Sequence, residues 1–83
     1  METTMNATQA LQNIKHAINN APRNGYIAEL HLQTIKYADF LKNVTGKEFC
    51  QELGIGPAFA TEFSKMRKIA PRLFNAGLDA SKI

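Results

Sequence analysis

The chain has 83 residues, a net charge of +3 and 45% hydrophobic residues. We expect a chain of this length to form one small domain, residues 1–83, without a second domain; a domain of this size buries only about 60% of its unfolded surface. Its single cysteine excludes an internal disulfide and a zinc site built from several cysteines. No apolar run approaches the roughly 20 residues that span a bilayer. The first residues lack the basic and apolar segments of a signal peptide, so we expect a cytoplasmic protein without membrane contact.

The first two predicted elements are helices. Residues 1–6 are expected to be a flexible start, and apolar residues then recur at helical spacing over residues 10–21, which predicts a helix of about four turns. Pro22 and Gly25 interrupt that pattern. A second, long helix is predicted over residues 26–43, where the apolar stripe is unusually wide. So wide a stripe indicates a central helix that contacts its neighbours on two sides.

A third helix is predicted between Thr45 and Gly54. Thr45 suits the N-cap, and Glu48 follows three residues later, which is the spacing of a capping box. Gly54 suits the position just after the last turn, where the backbone adopts positive φ.

A fourth helix is predicted over residues 57–69. Pro57 suits the first turn of this helix, because the N–H that proline lacks would have no partner within the helix there. Pro71 is expected to end the helix. A short helical turn over residues 72–74, which stops at Gly77, and a flexible tail of residues 78–83 complete the chain. The side chains expected to face inward are those of Phe59, Ala60, Phe63, Met66 and Ile69.

Residues 46–65 have the pattern of a helix-turn-helix unit. Two short helices that meet at a steep angle need a turn residue that tolerates positive φ, which Gly54 supplies, and a small residue at their contact, which Cys50 supplies. We therefore expect an all-α fold of four to five short helices, in which this unit packs on the long central helix. The apolar residues expected to hold the unit together are Phe49, Leu53, Ile55 and Phe63.

This unit resembles the helix-turn-helix of bacterial and phage DNA-binding proteins, and the likeness extends more loosely to the supporting helix from Tyr26. In such proteins the second helix of the pair enters the major groove, with its N-terminal residues nearest the base edges. The resemblance implies DNA contacts from Gly56, Pro57, Ala58, Thr61, Glu62 and Lys65.

The side chains implied to face the groove offer little direct reading of bases. The first three positions of the set have no side-chain donor, so hydrogen bonds to bases depend on Thr61 and Lys65. Ala58 can contact only a thymine methyl group, and Glu62 can accept from cytosine. One copy of the unit therefore offers little sequence specificity.

Positive charge is concentrated at the C-terminal end of the chain. Residues 1–63 contain five Lys or Arg and six Asp or Glu, whereas residues 64–83 contain five and one. Spacings of three and four place Lys65, Lys68 and Arg72 on one face of a helix, with Arg67 completing the basic cluster. Such a face suits DNA phosphates; the alternative is a solvated surface that keeps the protein soluble.

The sequence contains no set of residues that indicates catalysis, a metal or a cofactor. His16 and His31 fall on different predicted helices without a further pair of ligands nearby. Cys50 has no adjacent base and is expected to be a buried structural thiol. Glu48 and Glu52 are interpreted as a capping residue and a surface charge. We therefore expect no enzymatic activity.

The sequence thus favours a helix-turn-helix protein that binds double-stranded DNA, as a transcriptional regulator or an accessory factor of a mobile element. A homodimer is expected, because two recognition helices one helical turn apart on DNA raise affinity and specificity. The alternative is a protein–protein module, such as an adaptor, an antitoxin-like protein or a phage-encoded inhibitor. Such a module would present Pro57, Ala58, Phe59 and Glu62 to a protein partner.

Overall fold

The computed structural model of the protein describes residues 5–83, which contain four α-helices. Within this part of the chain there is no strand, which confirms the predicted all-α class. None of these helices is long and apolar enough to cross a membrane. Short 3₁₀ turns cover Arg23–Gly25, Ala38–Leu41 and Ala80–Lys82. The helices are α1 (Ala7–Asn19), α2 (Tyr26–Lys36), α3 (Gly46–Leu53) and α4 (Phe59–Asn75).

Helix α1 begins with a capping box and buries the predicted face. The Asn6 side chain accepts a hydrogen bond from the Gln9 N–H at 2.9 Å, and the Gln9 side chain accepts one from the Asn6 N–H at 3.1 Å. Asn6 therefore serves as the N-cap of α1. Residues 1–4 of the start that we expected to be flexible lie outside the described residues. The buried side chains of α1 are Ala10, Leu11, Ile14 and Ile18.

Helix α2 is central, as predicted, but it ends at Lys36 and not at residue 43. The chain then changes to the 3₁₀ turn over Ala38–Leu41, which keeps both Ala38 and Leu41 buried. Residues i and i+3 share a face in a 3₁₀ helix, so the apolar spacing continues although the α-helix does not. Helix α2 packs against both α1 and α4.

The predicted limits of α3 are confirmed at both ends. The Thr45 hydroxyl accepts a hydrogen bond from the Glu48 N–H at 3.1 Å, and the Glu48 carboxylate accepts one from the Thr45 N–H at 3.0 Å. The Thr45 backbone N–H and, to a smaller extent, the Thr45 hydroxyl lower the pKa of the Glu48 carboxyl group by hydrogen bonding to it. Gly54 ends the helix in the left-handed conformation, with φ of 68°.

Helix α4 is longer than predicted, because it continues through Pro71 to Asn75. The expected stop at Pro71 and the separate helical turn of residues 72–74 are both wrong. Proline removes one backbone hydrogen bond from a helix, but Ala70 is fully buried and Phe74 is partly buried one turn later. Burial on both sides of the proline keeps the last turns of α4 in place.

The end of α4 folds back on itself. The Leu78 N–H donates to the Leu73 carbonyl at 3.0 Å, and Gly77 between them has φ of 112°, a value that favours glycine. In the tail that follows, the Lys36 ammonium donates a hydrogen bond to the Ile83 carbonyl. The tail of residues 78–83 thus contacts the end of α2.

The core joins all four helices. The rings of Phe49 and Phe63 stack with centroids 4.2 Å apart and hold α3 against α4. Leu53 is buried with them, and Ile55 packs on the same cluster. The predicted inward position of Ile69 is wrong, because this side chain is 43% exposed.

Candidate nucleic-acid interface

The two helices of the helix-turn-helix unit approach each other closely at Gly46 and Ala60. A Cβ atom added to Gly46 would lie 2.8 Å from the Cβ of Ala60, a separation that real Cβ atoms essentially never show. The sequence indicated Cys50 as the small residue of this contact and missed Gly46. Cys50 is buried at 4% exposure, and its burial raises the pKa of the thiol. The only signal for this contact in the sequence was the position of Gly46 in the first turn of a predicted helix. Glycine is a poor helix former, so its presence in a helix indicates that a small residue is needed there.

One face of α4 carries Thr61, Lys65, Lys68 and Arg72, which we call the basic face. All four side chains are exposed, and their spacings of four, three and four place them in one row. Because α4 is unbroken at Pro71, this row extends along a single helix for about 16 Å, at about 1.5 Å per residue. The predicted row of cations therefore lies on one rigid element.

The segment Gly56, Pro57 and Ala58, which we call the tip, leads into α4. Its three residues are exposed, and α4 itself begins after it at Phe59. The Phe59 N–H donates to the Gly56 carbonyl and the Ala60 N–H to the Pro57 carbonyl, both at 3.1 Å. The tip thus presents carbon atoms and no side-chain donor at the start of the second helix.

Glu62 is held on the side of α4 that faces α2. Its Oε1 lies 3.1 Å from His31 Nε2, and its Oε2 lies 3.5 Å from Lys65 Nζ. The carboxylate is partly buried, whereas the Lys65 side chain is 62% exposed. Of the residues for which the resemblance implies DNA contacts, Glu62 is therefore the one whose side chain is directed toward α2.

Arg67 does not belong to the basic face, although the sequence placed it in the basic cluster. Its Nη1 donates to the Val44 carbonyl at 2.8 Å and its Nη2 to the Lys42 carbonyl at 3.0 Å. The guanidinium also lies over the Phe63 ring, 5.0 Å from the centroid. Arg67 thus fixes α4 to the loop before α3, and two of its five N–H donors are used within the fold.

An apolar cleft of about 390 Å³ opens between α3 and the start of α4, directly beside the tip. Most of its surface is carbon, and the exposed Lys47 and Gln51 of α3 line it on one side. The sequence alone did not single out Lys47, because its proximity to Pro57 depends on the angle between the two helices. The lining residues are Lys47, Cys50, Gln51, Ile55, Pro57 and Ala60.

Within residues 5–83, no three His, Cys, Asp or Glu side chains lie close enough together to hold a metal ion. His16 lies at the end of α1 beside Asn20, and His31 lies beside Glu62. The two histidines are thus engaged at separate places in the fold.

One of the comparisons with known proteins finds a match. A family model of an HTH-like (helix-turn-helix-like) domain matches residues 6–76 of the chain. The matched part contains all four helices together with the tip, the cleft and the basic face. No curated protein and no solved structure matches the chain.

Proposed function

Since the chain belongs to the family of HTH-like domains, we propose that it binds double-stranded DNA through the basic face of α4. The observation that supports this most is the exposed row of cations on the second helix of a helix-turn-helix unit. Lys and Arg that neutralise phosphates release condensed counterions, and this release supplies much of the affinity of DNA-binding proteins. The second helix of such a unit is also the element that enters the major groove.

In this arrangement, the position of each residue along the tip and α4 determines which part of the DNA it contacts. The tip and Thr61 lie at the end of α4 that comes nearest to the base edges, whereas Lys68 and Arg72 lie further along the helix and contact phosphates. Lys65 lies between the two sets and can reach either. Glu62 contributes little to base recognition, because it pairs with His31 and Lys65.

The biological role that we propose is that of a transcriptional regulator or a mobile-element accessory factor in the cytoplasm of a prokaryote, encoded by the cell or by a phage. A helix-turn-helix protein of this size works most simply as a dimer, with its two recognition helices about 34 Å apart in successive major grooves. Two copies also compensate for the few polar side chains that each recognition helix offers.

Fluorescence anisotropy with a mixed-sequence duplex tests the proposal. The purified protein is titrated against the duplex at about 50 mM and about 200 mM salt, alongside the triple variant Lys65→Ala, Lys68→Ala, Arg72→Ala. We expect binding of the unchanged protein to weaken steeply with salt and the variant to lose most of its affinity.

A matched control removes the same charge from other parts of the surface. Lys15, Arg23 and Lys82 are exposed and lie outside the basic face, so their triple alanine variant should retain most of the binding. Equal losses in the two triple variants would show that only the net charge matters. Absence of binding at low salt, to mixed duplexes and to a random-sequence pool alike, would contradict the proposal.

A protein–protein module is the second candidate, and the apolar cleft beside the apolar tip is the observation that favours it. Partner side chains of the aromatic or aliphatic kind fill such clefts at the centre of protein interfaces. In that case the charge of α4 would have little effect, and binding of a partner would depend weakly on salt. A partner captured equally well by the basic-face triple variant and the unchanged protein, with no DNA binding by either, would support this reading over the first.

A further inference from the structure

We propose that the cleft beside the tip receives thymine methyl groups, so that the protein prefers duplexes in which thymines line the major groove. The inference deepens the proposed function and rests on it, because it names the part of the DNA that the tip recognises. The tip and the cleft lie at the end of α4 that comes nearest to the base edges.

The chemistry of the tip selects an apolar partner. Gly56, Pro57 and Ala58 have no side-chain donor or acceptor, and the cleft behind them is lined mostly by carbon, including Ile55 and Ala60. In the major groove each base edge presents hydrogen-bond donors, acceptors or both, and thymine alone adds a methyl group. A cytosine or guanine edge offers an apolar surface only polar atoms, which are costly to leave without partners when water is excluded, whereas the thymine methyl group needs no such partner.

The cations near the cleft indicate that its apolar partner also carries negative charge. Lys47 lines the cleft on α3, and among residues 5–83 no carboxylate lies within ion-pair distance of it. The basic face follows the tip along α4. A thymine methyl group close to phosphates matches this combination of an apolar cleft and nearby cations, whereas an uncharged apolar ligand would leave the cations unused.

The cleft also has the size for such a role. A volume of about 390 Å³ accommodates more than one methyl group, and the close approach of Gly46 to Ala60 fixes the two helices that form its walls. Burying one methyl-sized group strengthens binding by about fourfold. The expected preference is therefore modest for each contact and increases with the number of thymines in contact.

Methyl-specific duplex pairs test the inference by anisotropy at about 50 mM salt. The first pair has one sequence with thymine or with uracil throughout, and the second has one sequence with cytosine or with 5-methylcytosine. Uracil lacks the methyl group of thymine at the same position, and 5-methylcytosine adds it to a different base. We expect the thymine duplex to bind about fourfold tighter than the uracil duplex for each buried methyl group, and 5-methylcytosine to strengthen binding in the second pair.

A variant of the tip separates this contact from general DNA binding. Pro57→Ser together with Ala58→Ser replaces exposed apolar groups by hydroxyls, and circular dichroism checks that the helices are retained. The variant should bind thymine and uracil duplexes equally and keep its dependence on salt. Retention of the full thymine preference by this variant would overturn the inference, because Pro57 lines the cleft.

The remaining outcomes distinguish the inference from the proposed function. Salt-sensitive binding that is equal for thymine and uracil duplexes would overturn the inference and leave DNA binding intact. A thymine preference without any effect of 5-methylcytosine would also overturn it, because the preference would then come from the shape of the duplex. No binding to any of the four duplexes, or to a random-sequence pool, would overturn both.

Discussion

Gly46 determines how closely the two helices of the unit can pack. Its missing Cβ leaves room for Ala60, since an added Cβ would lie 2.8 Å from the Ala60 Cβ and 3.3 Å from its Cα. Both neighbouring atoms belong to or adjoin the backbone of α4, so neither can rotate away. The spacing between α3 and α4, and with it the width of the cleft, therefore depends on this glycine.

We expect Gly46→Ala to lower the free energy of unfolding by about 1–3 kcal/mol, the usual cost of overpacking. Chemical denaturation measures the change, and Gly56→Ala is the matched control, because a Cβ at Gly56 meets nothing within 4 Å. If Gly46→Ala were as stable as Gly56→Ala, the close contact with Ala60 would not limit the packing.

Glu62 is the acidic residue that adjoins the basic face. Its carboxylate lies 3.5 Å from the Lys65 ammonium, so it offsets part of the charge that the basic face presents to phosphates. Glu62→Gln keeps a side chain of the same shape and removes this offset. We expect DNA affinity to increase by about two- to fivefold at about 50 mM salt, the range for one partly exposed charge pair.

The matched control for Glu62→Gln is Glu52→Gln, which removes an exposed charge from α3. Glu52 lines a pocket together with residues of α1 and lies outside the basic face. Anisotropy should detect a smaller change in this variant. Weaker DNA binding by Glu62→Gln would instead mean that Glu62 accepts a hydrogen bond from a base.

Helix α4 tolerates a proline in its interior because the flanking turns are packed. Pro71 is exposed and cannot donate to the carbonyl four residues earlier, whereas Ala70 beside it is fully buried. A proline in a helix interior costs about 3 kcal/mol relative to alanine. The packing of the end of α4 on the core offsets this cost.

Pro71→Ala should therefore raise the free energy of unfolding by about 1–3 kcal/mol, because it restores the missing backbone hydrogen bond and loses no buried surface. Part of this gain is cancelled, because the unfolded chain has more backbone conformational entropy with alanine at this position than with proline. Denaturation curves of Pro71→Ala and of the surface control Ser64→Ala measure the difference. A gain no larger than that of Ser64→Ala would indicate that Pro71 causes no strain in α4.

Local signals predicted both limits of α3 and the start of α2, but not the end of α2 or the limits of α4. The capping box of Thr45 and the turn at Gly54 depend only on neighbours in sequence, so both were predictable. The end of α2 was not, because the 3₁₀ turn after it continues the same apolar spacing. The passage of α4 through Pro71 depends on burial against other helices, which no local pattern reveals.

The candidate site likewise combines features that the sequence alone predicts with features that depend on how the helices pack. Residue spacing alone could assign Lys65 and Lys68 to one row in advance, whereas Arg72 lies in that row because α4 continues through Pro71. The sequence alone could not show that Arg67 lies outside this row, because its partners, the Lys42 and Val44 carbonyls, belong to another part of the chain. The cleft likewise depends on the angle at which α3 meets α4.

At the scale of the whole molecule, the charge is divided unevenly along the chain. The four helices form a body with a radius of gyration of 12.3 Å, and the basic face occupies one side of α4. Residues 64–83 carry five of the ten basic residues and one of the seven acidic residues. Since the field of such a surface is screened beyond about 10 Å at 0.1 M salt, it acts mainly on a partner in direct contact.

The dependence of DNA binding on salt should reveal how many copies of the chain bind together. The basic face of one copy provides three cations, Lys65, Lys68 and Arg72, and each phosphate that is neutralised contributes about −0.9 to the slope of log K against log salt. One copy should then give a slope of about −2.7, and a dimer that contacts two half-sites about −5.4.

Between about 50 and 200 mM salt these slopes correspond to losses of affinity of about 40-fold for a monomer and about 2,000-fold for a dimer. We expect the dimer value, and sedimentation of the DNA complex should give twice the 9.2 kDa chain mass bound per duplex. Lys68→Ala, which removes one contact from each copy, should reduce the dimer slope by about 1.8. A slope near −2.7 with one chain per duplex would instead identify a monomer that binds through a single basic face.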